Sequence, residues 1–221
     1  GVSGGSFPAA YYGMFGDRIF DEFEERFLRR NIQRAIIWRV FWPWNTVALL
    51  TPWLSRSDIA KGIYHGSVFD EATFADFESA HGPRVYVNAT DLSSGERFVF
   101  TQPYFDAICS DLSVFPVAYA VAASSAVPAL LSPVSLKSWA GTCGFELNAA
   151  LAKGLQMRET DPRRYRIAAG FAQFSDPQKR YVHLVDGGIS DNLGLRAGIE
   201  LVAAAGGLVE LGELTHRKLP K

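Results

Sequence analysis

The chain has 221 residues, 48% of them hydrophobic, and a formal net charge of −1 at pH 7. That is enough apolar material for one domain with a substantial core. The balance of 22 basic against 23 acidic residues excludes an electrostatic case for nucleic acid or for bulk attraction to anionic membranes. No internal repeat, low-complexity run or linker divides the chain, so a single domain over 1–221 is expected.

The first five residues, Gly1-Val2-Ser3-Gly4-Gly5, form a complete G-x-S-x-G. Such a pattern suits a nucleophile elbow, in which small neighbours let a strand turn sharply into a helix and expose a serine hydroxyl. Ser3 is the candidate nucleophile, and the Gly4 peptide N–H at the helix start is the candidate oxyanion donor. A helix from Gly5 to Phe15 follows, with Pro8 in the first turn, where its missing N–H costs nothing. From Phe20 to about Trp42, apolar Phe20, Phe23, Phe27, Leu28, Ile32, Ala35 and Ile36 step by three and four, predicting an amphipathic helix.

Trp38, Trp42, Trp44 and Trp53 then concentrate four of the five tryptophans. A transmembrane helix over 36–54 is disfavoured by Arg39, Pro43, Asn45 and Pro52. The leading reading is a buried connection, with an aromatic lid or peripheral membrane patch as the competitor, because Trp prefers the membrane boundary. Asp58 to His65 reads as a short helix with Ser57 as N-cap, and Asp70 as the cap of another from Glu71 to Ser79. Arg84–Asn88 and Arg97–Thr101 read as paired strands around the turn at Thr90-Asp91-Leu92-Ser93-Ser94-Gly95, where Asp91 is expected to accept hydrogen bonds within the turn.

Pro116–Ser125 is predicted as a helix of small residues able to lie close under a site floor. Pro128 and Pro133 stiffen the loop that follows, and Leu130, Leu131 and Val134 are expected to line an acyl pocket. A helix over Phe145–Lys153 and strands over Arg166–Phe171 and Tyr181–Val185 come next. The last strand runs into Asp186-Gly187-Gly188, which puts a carboxylate at a strand end that another loop can approach closely. Asp186 is the candidate general base. Asp191 is read as the cap of a final helix through about Ala205. Cys109 and Cys143 lack metal-ligand spacing and are read as buried thiols, with a disulfide as the alternative.

Gly1-Val-Ser-Gly-Gly5, Ala123-Ser-Ser-Ala-Val-Pro128 followed by Pro133, Asp186-Gly-Gly188 followed by Asp191-Asn192, and the Thr90–Gly95 turn together resemble the patatin-like phospholipase family, in the same order along nearly the whole chain. The resemblance implies a three-layer α/β/α sandwich around a central, mostly parallel sheet. It also implies fatty-acyl ester hydrolysis by a Ser3–Asp186 dyad without a catalytic histidine, through an acyl-enzyme. Two departures stand out. The family's glycine-rich oxyanion loop and the strand ahead of the elbow have no counterpart before Gly1, so the chain is expected to be a domain lacking them at its N-terminus. The family's usual proline after Asp-Asn-Leu is Gly194 here.

Rival readings of the same residues are a Ser-His-Asp esterase using His216, Ser124 or Ser125 as the nucleophile, and a non-catalytic lipid-binding module of the same fold. His65, His81 and His183 have no ligand spacing. No phosphate-binding loop, dinucleotide fingerprint or zinc cluster is present, so no cofactor and no metal is expected. The expected partner is a lipid substrate, and nothing in the sequence assigns a compartment or an oligomeric state.

Overall fold

The computed structural model describes residues 1–29, 38, 42, 56–80, 82–128, 131–196 and 198–200. The chain enters through extended Val2, makes a 3-10 turn at Ser3–Gly5, and continues as α1, Ser6–Phe15, as the sequence predicts. α2 spans Arg18–Phe23 and widens into a π turn at Glu24–Leu28. The wider turn shifts the phase of the predicted apolar stripe. Phe23 and Phe27 face Tyr11 and Phe7, while Phe20 and Leu28 are exposed. The rest of that predicted helix lies outside the described residues, apart from exposed Trp38 and Trp42. No helix among the described residues is long and apolar enough to cross a membrane.

α3 covers Arg56–Ser67 and starts before its predicted cap: Ser57 sits inside it, with its hydroxyl donating to the Ser132 carbonyl. α4, Phe74–Ser79, is capped by Thr73, not by Asp70. Asp70 and Glu71 adopt left-handed φ values of 49° and 62°, and the Asp76 carboxylate accepts both the Thr73 N–H and hydroxyl at 2.8 Å. Strands β1, Asn88–Asp91, and β2, Arg97–Val99, form the predicted hairpin. β1 begins where the predicted strand ended: over 84–87 the Tyr86 carbonyl accepts the Gly1 ammonium and the Val87 carbonyl accepts the Phe100 N–H, while Asn88 bridges Val2 in parallel and its N–H donates to the Gly1 carbonyl.

α5 is Gln102–Ala107, α6 is Val117–Ser124 after an extended Pro116, and β3 is Val134–Lys137. α7, Ala149–Leu155, begins after the predicted start, at an Asn148 side chain that caps the Leu151 N–H. The predicted strand over 166–171 is instead part of α8, Pro162–Ala172. The Asp161 side chain accepts the Arg164 N–H and Pro162 occupies the first turn, a start signal that outweighs the strand-like run Ile167–Phe171. β4 is Tyr181–Asp186, and α9 is the single turn Gly188–Asp191.

The sheet order is β2-β1-β4-β3, and each of these pairings is antiparallel. The fold is α/β, but the mostly parallel sheet implied by the resemblance is not what the described strands form. Parallel pairing among them is confined to the Val2–Asn88 bridge. β1 is held between β2 and β4 through two short antiparallel ladders, so neither of its edges is left for a parallel strand along its length. Helix α6 packs on β1 and β4 and touches α1 and α3. Its buried Ala118, Ala120, Ala122 and Ala123 allow that close approach.

The core beside it is aromatic: Phe98 packs against Phe100, Tyr104, Phe105 and Phe174 at centroid distances of 5.3–6.0 Å. Cys109 and Cys143 are joined in a disulfide with their Cα atoms 5.6 Å apart, which corrects the reading of two free thiols. The bridge ties the turn after α5 to the loop after β3, two places whose proximity only the folded chain creates.

Candidate active site

Val2 is extended (φ −137°, ψ 138°), Ser3 turns into the left-handed region at φ 50°, and the helical turn starts at once. A non-glycine residue with such a φ is held there by its surroundings, and strained positions of this kind cluster at functional sites. Side-chain hydroxyls on either side hold the Ser3 backbone. Its N–H donates to the Ser124 hydroxyl at 3.0 Å, and its carbonyl accepts the Ser6 hydroxyl at 2.6 Å. Gly4 and Gly5 are exposed beside it.

Asp186 ends β4, only 6% exposed. Its Oδ2 accepts the Ser3 hydroxyl at 2.6 Å and its Oδ1 accepts the Gly188 N–H at 2.7 Å. The backbone is held as firmly: the Asp186 N–H donates to the Ala126 carbonyl at 3.0 Å, and the Asp186 carbonyl accepts the Thr90 hydroxyl at 2.9 Å. Gly187 follows because a Cβ there would lie 2.2 Å from the Asn88 carbonyl oxygen. The sequence's two leading site residues, 183 positions apart, are thus in direct contact.

The other predicted positions fare differently. Val134 is 2% exposed in the core, with Leu184 as its ladder partner, and Leu131 packs against the same core. Strand alternation turns Val134 inward, so it lines no open wall. Leu130, Trp44, Trp53, His81 and His216 lie outside the described residues. Ser124 is fully buried as the partner of the Ser3 N–H, and Ser125 bonds within its own helix, so neither is an exposed nucleophile. Ser124 and Thr90 support the site in ways the sequence reading missed, because their contacts join segments far apart in the chain.

Asp191 is the last residue of α9, and its Oδ2 accepts the Arg196 N–H at 2.9 Å where the chain turns helical again. Gly194 takes φ 67°, a backbone state closed to proline. Asp91 is fully buried. Its Oδ2 accepts the Ser93 and Ser94 hydroxyls, as the turn reading expects, and also the Lys179 ammonium at 2.6 Å. Burial pushes its pKa up, but the hydrogen bonds and charge of Lys179, with the two serines, outweigh it and hold the carboxyl below its ordinary value.

Two concavities, of about 110 and about 300 Å³, lie between α7 and α8 and beside Trp139 and Tyr181; neither is lined by Ser3 or Asp186. No group of three or more His, Cys, Asp or Glu among the described residues is placed to hold a metal ion.

No curated protein and no solved structure matched the chain. The family model described as patatin-like phospholipase matches residues 1–199, a span that takes in the Ser3 turn, the 123–128 block and the Asp186 loop. By that match the chain belongs to the patatin-like phospholipase family.

Proposed function

We propose that the protein is a serine lipid acyl hydrolase that cleaves fatty-acyl esters through a Ser3–Asp186 dyad and an acyl-enzyme. Family membership supports the reaction class. The observation that carries the residue assignment is the direct 2.6 Å hydrogen bond from the Ser3 hydroxyl to the Asp186 carboxylate.

In this reading Asp186 Oδ2 takes the hydroxyl proton as Ser3 Oγ bonds to the ester carbonyl carbon, and the carbonyl π pair moves onto oxygen. The Gly4 N–H is the proposed donor to that oxyanion. When the tetrahedral species collapses, the C–O bond to the alcohol breaks and the alcohol leaves with the proton from Asp186. A water then gives its proton to Asp186 and its oxygen to the acyl carbon, and the fatty acid departs as Ser3 Oγ regains the proton. A carboxylate is a weak base in water. Its fixed placement, with Oδ1 on the Gly188 N–H and Oδ2 on the Ser3 hydroxyl, supplies here the proximity that an imidazole supplies elsewhere. The direct contact leaves no space for an imidazole between the two groups, which favours the dyad over a triad through His216.

Lipid contact is proposed for exposed Trp38 and Trp42 and for Val127, Ile189 and Leu193, which flank the loops carrying Ser124 and Asp186 and are 41%, 57% and 78% exposed.

A fluorophosphonate probe followed by peptide mapping tests the assignment. The expected result is covalent label on Ser3 alone, lost in Ser3→Ala and slowed in Asp186→Asn. Label on another residue would contradict the assignment, and a protein that binds lipid vesicles yet takes no label would be the non-catalytic module.

A further inference from the structure

The helix end at 124–126 touches both halves of the dyad. Ser124 closes α6, is fully buried, and receives the Ser3 N–H on its hydroxyl oxygen at 3.0 Å. The carbonyl of the same residue accepts the Gly187 N–H at 3.0 Å, and two residues on, the Ala126 carbonyl accepts the Asp186 N–H at 3.0 Å. One short segment therefore fixes the backbone of the nucleophile from one side and the backbone of the base from the other. Ser3 needs such a hold, since φ 50° is an unfavourable state for serine and an elbow free to relax would swing Oγ away from Oδ2.

The partner must also be a side chain. The neighbouring C=O groups of α6 are engaged in the helix or, as at Ser124, already bonded to the base loop, so removing the hydroxyl would leave a part-buried N–H with nothing to receive it.

We propose that Ser124 is a positioning residue for the reaction: its hydroxyl locks the strained Ser3 turn in register with Asp186, and it touches neither substrate nor the reacting atoms. This rests on the reading of Ser3 as nucleophile for its kinetic consequence, though not for the hydrogen bond itself. Ser125 provides an internal comparison. It is the next residue on the same helix end, and its hydroxyl donates to the Val121 and Ala122 carbonyls at 2.8 and 3.3 Å with no link to Ser3.

The test compares Ser124→Ala and Ser125→Ala in Ser3 labelling by the fluorophosphonate, in kcat and KM on a soluble p-nitrophenyl ester, and in residue-resolved amide hydrogen exchange. Ser124→Ala is expected to slow labelling and kcat about tenfold to a hundredfold with KM unchanged, and to speed Ser3 amide exchange. Ser125→Ala is expected to stay within about twofold of the parent in rate, with a similar small loss of Tm.

Equal rates in the two variants, or loss of activity in the same proportion as stability in both, would overturn the proposal. If Ser124→Ala does not fold, the parent still decides. A Ser3 amide as protected as that of Gly187 supports the lock, and one that exchanges as fast as exposed Gly4 overturns it. A parent in which Ser3 takes no label defeats the dyad reading, while amide exchange continues to judge the Ser124 contact separately.

Discussion

Asp186 and Asp91 are both buried carboxylates, yet their surroundings differ. Asp186 has one oxygen on a backbone N–H and the other on a hydroxyl that can give up its proton. Asp91 is paired with a cation, and Lys179 has its side chain only 15% exposed. Asp91→Asn is therefore expected to leave an unpaired buried ammonium and to cost about 3–5 kcal/mol of stability in a denaturant titration.

The sign of its pH dependence follows from a folded pKa held below the ordinary value. The pair's contribution is complete above the unfolded carboxyl pKa of about 4 and is lost as pH falls through the folded one. Acid unfolding monitored below about pH 4 should accordingly be flatter in Asp91→Asn than in the parent. Ser3, Asp186 and the turn role of Asp91 were legible in the sequence because each sits in a short local pattern. Lys179 and Ser124 were not, since each meets its partner across 88 or 121 residues and no local pattern marks such a contact.

At the scale of elements, the predictions succeeded where local chemistry and tertiary contact agree and failed where they conflict. β4 has alternating burial over its first residues and ends at Asp186, the proposed base. α8 was misread because Ile167, Ala168 and Phe171 suit either a short strand or one helix face, and the decisive signal was the Asp161-Pro162 pair at its start. The Cys109–Cys143 bridge carried no spacing signature; it spans 34 residues and forms where the segment after β3 returns to the end of α5, with the Trp139 N–H donating to the Ile108 carbonyl. Its reduction is expected to lower stability by about 2–4 kcal/mol, read as a drop in Tm in a mild reductant, with Cys109→Ser/Cys143→Ser giving the same drop.

The exposed apolar side chains beside the base loop make a separate prediction. Ile189→Asp with Leu193→Asp should weaken vesicle binding and turnover of aggregated lipid while sparing hydrolysis of a soluble ester. Equal loss on both substrates would assign these residues to chemistry or folding and not to the lipid surface.

For the whole molecule, composition and motif order anticipated an α/β domain and its family. They could not anticipate strand direction, because hydrophobic alternation is the same for parallel and antiparallel pairing. Phe98, on β2 of the described sheet, is fully buried in the aromatic cluster. Phe98→Ala is expected to cost about 3–5 kcal/mol through the cavity it leaves. Because α6 rests on the same sheet, partial loosening there should slow Ser3 labelling before the protein unfolds.

The proposed function rests on one contact, the hydrogen bond between Ser3 and Asp186. The most direct measurement is the rate of Ser3 acylation by a soluble acyl ester in the parent, in Asp186→Asn and in His216→Ala. The account predicts a fall of about a hundredfold to ten-thousandfold for Asp186→Asn and a near-parental rate for His216→Ala. A near-parental rate for Asp186→Asn, or a comparable collapse on replacing His216, would contradict it.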